Sequence, residues 1–418
     1  MSKPSGFIGR IAERARTSGP GWLLSAYTLG SGTAVTSILA GNQYGYKLLW
    51  VNPLAMLIGV TVLSGAAYSA LSSEKSPFER FKKELTPLLA YAWGIGSLLA
   101  SVIWHFPQYA MVYAISRELV GFEVSTASRA LVAGIVLICS IFLTWQYRRG
   151  TGLLVYESVL KLLVWTTVVC LLVLMIRLPI DWKAVGQGVV GFYVPRSQEG
   201  RLFVYGLLGA AVGINMTFLY PYSVRSKGWK SEDVHLALKD LALGMFFPFV
   251  IATGALTIAS AATLYGTEID RGKVAQLAHV FTPVFGSKVG PLLFLLGLLA
   301  MPLSTITLHM LTSGFIVSEM TGKEQYGLVW RFGTLIPAVG ALGVAYPLPV
   351  WLPVVTSAAC LTLLPIAYIG FVALFTKDIS KPQAAPFPGG RLALVPMCGA
   401  IAVMIVAAAN YVWSKISG

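Results

Sequence analysis

Eleven stretches of this 418-residue chain are apolar enough to cross a bilayer, and they follow one another almost without interruption. They run at roughly 20–43, 47–72, 86–116, 127–147, 152–176, 202–224, 237–264, 286–318, 328–346, 350–376 and 392–413. About 20 apolar residues span the hydrocarbon core, so each stretch is long enough to cross. With 56% apolar and only 11% charged residues, the chain has too little polar surface for a soluble domain. The fold class is therefore an all-α integral membrane protein with 11 transmembrane helices and the lipid bilayer as its partner. The third stretch is long for a span and is expected to tilt or project. Residues 1–19 form a short basic arm, MSKPSGFIGRIAERARTSG, with no cleavable signal peptide.

A net charge of +14 would suggest nucleic acid as the partner of a soluble protein. Here the charge reads as topology, and no nucleic-acid partner is expected. Most Lys and Arg residues fall on one set of loops, among them Arg10, Arg14, Arg16, Lys75, Arg80, Lys82, Lys83, Arg225, Lys227 and Lys230. The positive-inside rule then places the N-terminus in the cytoplasm and the C-terminus outside. Cys139, Cys170, Cys360 and Cys398 lack metal-ligand spacing and read as small packing residues.

Two spans carry helix-breaking chemistry at their centres. The first reads SAYTLGSGTAVTS, with Gly30, Ser31 and Gly32 at mid-membrane, and the sixth reads GLLGAAVGINMTFLYPYS, with Gly213 at mid-membrane. Glycine is a poor helix former, and unwound backbone at that depth is tolerated where it lines a cavity. The breaks lie five spans apart. Paired interruptions in register point to two inverted five-helix repeats around a midplane site. That divides the chain into the arm 1–19, a first repeat 20–176, a second repeat 177–376, and a loop with an eleventh span over 377–418. Taken singly, each break could merely allow close helix packing.

Several segments resemble one known family. GPGWLLSAYTLGSGTAVTSILAGNQYGYKLLW, LFLLGLLAMPLSTITLHMLTSGFIVSEM and RFGTLIPAVGAL are similar to the first, eighth and ninth spans of the NRAMP family of proton-coupled divalent-metal transporters. The resemblance covers about residues 19–376. It implies a LeuT-like fold with broken helices 1 and 6, alternating access, and a bacterial inner-membrane location. The family's functional residues carry over poorly. Its first-span Asp-Pro-Gly-Asn motif aligns with Gly30, Ser31, Gly32 and Thr33, and its sixth-span Met-Pro-His motif with Gly213, Ile214 and Asn215. Two third-span acids linked to proton movement align with His105 and Gln108, while a ninth-span basic residue survives as Arg331.

The expected binding set is therefore Gly30, Ser31, Gly32, Thr33, Gly213, Asn215 and Thr217, all neutral. Soft metals want thioether or imidazole ligands, and hard ones want oxygens that usually include a carboxylate. On that ground no metal ligand and no cofactor is assigned. His105, Gln108, Ser304, Thr305 and Arg331 are candidates for coupling or gating. The Ser304–Thr307 hydroxyls could serve sodium, although the same run resembles NRAMP proteins themselves. Trp104, Phe106, Tyr109, Phe218, Tyr220 and Tyr222 are expected near the cavity, where rings could wall an organic solute.

Three readings follow. The first is a secondary transporter whose site is rebuilt for a small carboxylate-bearing, amino-acid-like solute, with the carboxylate at the glycine turn facing a helix N-terminus. The second is a divalent-cation transporter of relaxed type, passing a largely hydrated ion with weak or no proton coupling. The third is a sensor or scaffold that does not transport. No nucleophile–base pair or metal cluster suggests an enzyme.

Overall fold

The computed structural model describes residues 20–146, 169–381 and 386–416, and these residues form a bundle of apolar helices. Eight helices are long and apolar enough to cross a membrane alone, and two further crossings are bent pairs. The single helices are Val51–Leu71 (span 2), Pro87–Val120 (3), Thr126–Trp145 (4), Gln198–Ser226 (6), Ser231–Leu264 (7), Thr282–Thr321 (8), Leu328–Ala345 (9) and Gly390–Ile416 (11). The bent pairs are Gly21–Thr28 with Ser31–Tyr44 (span 1, bent by 55°) and Leu352–Leu361 with Leu364–Ile379 (span 10, bent by 40°). Of the fifth expected span only the end, 169–176, falls among the described residues.

Local chemistry sets the boundaries. Thr86 caps span 3 by accepting from Leu89 N, with Pro87 in its first turn. Ser125 and Ser128 form a reciprocal cap at the start of span 4, and Ser197 caps span 6. Close crossings rely on glycine. A Cβ at Gly41 would lie 2.3 Å from Thr257 O, and one at Gly209 2.1 Å from Ser357 O. Small residues at these points let span 1 meet span 7 and span 6 meet span 10 backbone to backbone.

Both expected breaks are present, though the first sits one residue earlier than the glycine pair suggests. Leu29 (φ −78°, ψ 45°) ends the first half of span 1, and Gly30 (φ −76°, ψ 170°) starts the second. Ser31, Gly32 and Thr33 are thus the first turn of a helix, not an unwound turn. In span 6 the break is extended backbone at Val212 and Gly213. The break in span 10 was not expected; Pro365, just inside the second segment, marks it.

Span 9 is α-helical only over Leu328–Leu335, and Ile336–Ala345 is a 3-10 helix of 10 residues. In a 3-10 helix residues three apart are eclipsed, so Pro337, Gly340 and Gly343 line up in one buried row. That row lies on span 3. A Cβ at Gly340 would be 2.1 Å from His105 Cβ, and one at Gly343 2.1 Å from Phe106 O.

At the end of the bundle where span 1 begins, a buried ion cluster ties the linker between spans 2 and 3 to the end of span 10. The fully buried Arg80 donates to both oxygens of Asp378 at 2.8 Å, to Glu84 at 2.9 and 2.8 Å, and to Ser69 O at 2.7 Å. The Arg80 hydrogen bonds hold the Glu84 carboxyl below its usual range. Because that value is lowered on folding, the contribution of Glu84 is present at neutral pH and lost as pH falls through it.

Candidate functional site

The two breaks meet at one cavity of about 30 Å³. Its wall includes the last turn of both first halves, through Tyr27 and Thr28 in span 1 and Gly209 and Ala210 in span 6. Carbonyls in the last turn of a helix lack intrahelical partners, so these ends present oxygen dipoles to the cavity. The second halves face it with their first turns, through Gly30, Gly32, Thr33, Gly213, Asn215 and Met216. Spans 3 and 8 close the sides with Trp104, Gln108, Thr305 and His309.

A neutral polar cluster lies on one side. The Tyr27 hydroxyl is 2.6 Å from His309 Nδ1, and Asn215 Nδ2 donates to the Tyr27 hydroxyl at 2.8 Å. Asn215 Nδ2 also lies 2.9 Å from His309 Nδ1 and 3.4 Å from Ser101 Oγ. With Tyr27 donating, Nδ1 of His309 is the acceptor and the ring proton sits on Nε2. The Met216 sulfur accepts the Gly213 N–H at 3.4 Å, so the thioether is held against the break.

On the other side Ser31 Oγ donates to Gln108 Oε1 at 2.7 Å. Gln108 Nε2 is buried without a protein partner. A hydroxyl can donate or accept, so turning the amide over would keep the Ser31 bond and aim the carbonyl at the cavity instead. The pair can therefore meet either a donor or a cation. Gly32 is required by packing, because a Cβ there would lie 2.5 Å from Cζ3 of Trp104.

Six expected binding residues converge here: Gly30, Gly32, Thr33, Gly213 and Asn215 in the wall, and Ser31 through Gln108. Thr217 does not. Its hydroxyl accepts from Trp93 Nε1 at 3.0 Å and donates to Ile214 O at 2.5 Å, on the side of span 6 away from the cavity. Of the coupling candidates, Gln108 and Thr305 line the wall. The Ser304 and Thr305 hydroxyls both donate to Met301 O at 2.8 Å, within their own helix. His105 is buried one layer out, with Nε2 donating to Ile306 O at 3.1 Å and its ring 5.5 Å from that of His309. Arg331 is exposed on span 9, its guanidinium 5.4 Å from the Trp145 ring centre, and is no part of the site.

Of the six aromatics expected nearby, Trp104 alone lines the cavity. Phe218 stacks with Tyr222 and Trp93, and Tyr220 donates to Ala237 O at 3.0 Å. Tyr27, Met216 and His309 were missing from the expected binding set. Met216 lies three residues after Gly213, close to one helical turn, and that spacing was the available signal. The expectation that no thioether or imidazole reaches the site is corrected: Met216 and His309 both do. The volume also counts against an amino-acid-like solute. A water needs some 10–15 Å³ by this measure, so the cavity has room for about two waters or one ion.

The family model described as natural resistance-associated macrophage protein-like matches residues 21–414. A curated relative, the divalent metal cation transporter MntH of Granulibacter bethesdensis, is 23% identical over 340 residues, covering 77% of this chain and 72% of that protein. Among solved structures, the Eremococcus coleocola manganese transporter is 15% identical with a TM-score of 0.69, covering 98% of this chain and 96% of its own. MhsT in complex with L-phenylalanine matches with a TM-score of 0.54 at 14% identity, over 93% of this chain and 98% of that one. At these identities the structural matches establish the fold, a LeuT-like bundle broken at spans 1 and 6.

Proposed function

The chain belongs to the natural resistance-associated macrophage protein-like family, and we propose that it carries a divalent cation through the midplane cavity by alternating access. One observation carries this reading. A space of about 30 Å³ at the meeting of both breaks gathers the Asn215 amide, the Met216 thioether and the His309 imidazole. Those are metal-ligand types; the thioether and the imidazole Nδ1 become ligands once the ion displaces the Gly213 N–H and turns away the Tyr27 hydroxyl and Asn215 amide N–H, and such a pair suits transition ions better than calcium or magnesium. The carbonyl ends of the two first halves add oxygen dipoles of the right sign for a cation. The name of the MntH relative points the same way.

Among the described residues no carboxylate lines the cavity, and that shapes the mechanism. A doubly charged ion brought to the midplane without a counter-charge keeps a large desolvation cost. The ion therefore binds weakly and keeps its water only as the cavity opens beyond its closed volume, and among the described residues the wall provides no acid to carry a coupled proton. The charge bias of the loops supports a cytoplasmic N-terminus, which puts the start of span 1 at the inner face.

The test is uptake into proteoliposomes loaded with a metal-sensitive dye, with an internal pH dye in parallel. Manganese or magnesium should enter down its gradient without proportionate proton flow. Asn215→Asp, which places a carboxylate where the amide stands, should tighten binding at least tenfold, about 1.4 kcal/mol. Absence of metal uptake, together with amino-acid uptake that Asn215→Asp abolishes, would return the site to an organic solute.

A further inference from the structure

A larger cavity of about 420 Å³ opens at the opposite end of the first half of span 6. Glu199 there and Ala210 at the midplane cavity are 11 residues apart on one helix, which is about 16 Å. The larger cavity is walled by Tyr205 of span 6, Trp351 before span 10, Arg271 of the loop between spans 7 and 8, and Tyr411 and Lys415 of span 11. Gln198 Nε2 donates to Ser414 O at 2.6 Å and ties span 6 to the end of span 11 beside it.

Its charge is wrong for a waiting divalent cation. Arg271 and Lys415 contribute two positive charges against one carboxylate, Glu199. The Arg271 guanidinium lies 4.3 Å from the Trp351 ring centre, and the Arg271 carbonyl accepts from Val350 N at 3.1 Å, so the loop is anchored and the guanidinium lies over the ring. It meets Glu199 through one terminal nitrogen at 2.6 Å. A guanidinium has five N–H donors in a rigid fork, so most of them stay available. Lys415 has no carboxylate partner among the described residues, and its ammonium sits 5.9 Å from the Tyr411 ring centre. Tyr205 and Tyr411 meet edge to face at 5.8 Å and form an apolar wall. Val412 and Ile416 of span 11 are exposed apolar residues on the same helix.

We propose that this cavity is a second, non-transporting site for an anionic amphiphile. The anionic group, a carboxylate or phosphate, bridges Arg271 and Lys415, and the apolar part rests on Tyr205 and Tyr411. A planar fork beside a point charge is the arrangement that grips such a group. The anion can come from an acidic phospholipid headgroup, reaching in past span 11, or from a soluble organic carboxylate.

Thermal unfolding of the full chain in neutral detergent tests this, since a ligand that prefers the folded state raises the midpoint saturably. The probes are dihexanoyl phosphatidylglycerol, dihexanoyl phosphatidylcholine and benzoate. Phosphatidylglycerol should raise the midpoint where phosphatidylcholine does not. The apparent affinity should fall at least tenfold in Lys415→Glu and in Arg271→Lys, which keeps the charge but loses the fork. Lys415 is exposed near a helix end, so its variant is read first, and Arg271→Lys is read if that variant does not fold. A matching shift with benzoate identifies a soluble anion, and a shift with phosphatidylglycerol alone identifies lipid; both support the site. Equal shifts with the two lipids, or wild-type affinity in a folded variant, would overturn it. The response should survive Asn215→Asp, which separates this site from the midplane cavity.

Discussion

Met216 acts twice over. Its sulfur caps the second half of span 6 at Gly213 N, and its side chain forms part of the cavity wall. Met216→Leu keeps the volume and removes the sulfur. Manganese affinity, read by calorimetry, should then fall about tenfold while magnesium is little changed, because a hard ion gains nothing from a thioether. Thr217→Val makes the opposite case. It should leave uptake intact but lower the melting midpoint, since the buried Trp93 Nε1 loses its acceptor, at a cost of about 1–3 kcal/mol. The sequence shows both residues and does not sort them. Adjacent positions on a helix point about 100° apart, and the facing direction follows from where the break falls. His309 and Tyr27 reach the cavity from a different span and from the turn before Gly30, and only the tertiary fold brings them to Asn215.

Helical elements were more legible. Length and apolarity located the ten described spans, and mid-span glycine located the breaks of spans 1 and 6, because those signals act within one segment. The bend in span 10 and the 3-10 half of span 9 were missed. Pro365 and the Pro337–Gly340–Gly343 spacing read as ordinary features until span 3 is seen lying against the latter. The linker between spans 2 and 3 carries its own prediction. Arg80 is fully buried against Asp378, and Lys381 also reaches Asp378 at 2.7 Å. Arg80→Ala leaves a buried carboxylate with only a peripheral partner, and should destabilise by about 3–5 kcal/mol. Detergent thermal unfolding will read this as a large drop in midpoint. Arg80→Lys should recover only part of it, because one ammonium cannot reproduce the contacts to Asp378 and Glu84 together.

For the whole molecule, the short first half of span 1 matters through its seat on span 7. It has eight residues, and at its start the Gly21 N–H donates to Asp240 of span 7 at 2.6 Å. A Cβ on Gly21 would lie 2.5 Å from Asp240 O, so the two helices touch there. Asp240→Ala should loosen this seat and expose the cavity from that end. In a background with the native cysteines replaced, Thr28→Cys should be alkylated several-fold faster once Asp240 is changed; an unchanged rate would show that the seat does not control access. Span 9 bears on the molecule in a different way. Ten residues wound as a 3-10 helix rise about 20 Å where an α-helix would give about 15 Å, and with the eight α-helical residues before them the segment reaches about 32 Å. That matches a hydrocarbon core of about 30 Å, which the same 18 residues wound as α-helix alone would leave about 3 Å short. The tighter winding thus fits the shortest unbroken crossing among the described residues to the thickness of its bilayer, and a return to α-helix would draw one of its ends into the hydrocarbon.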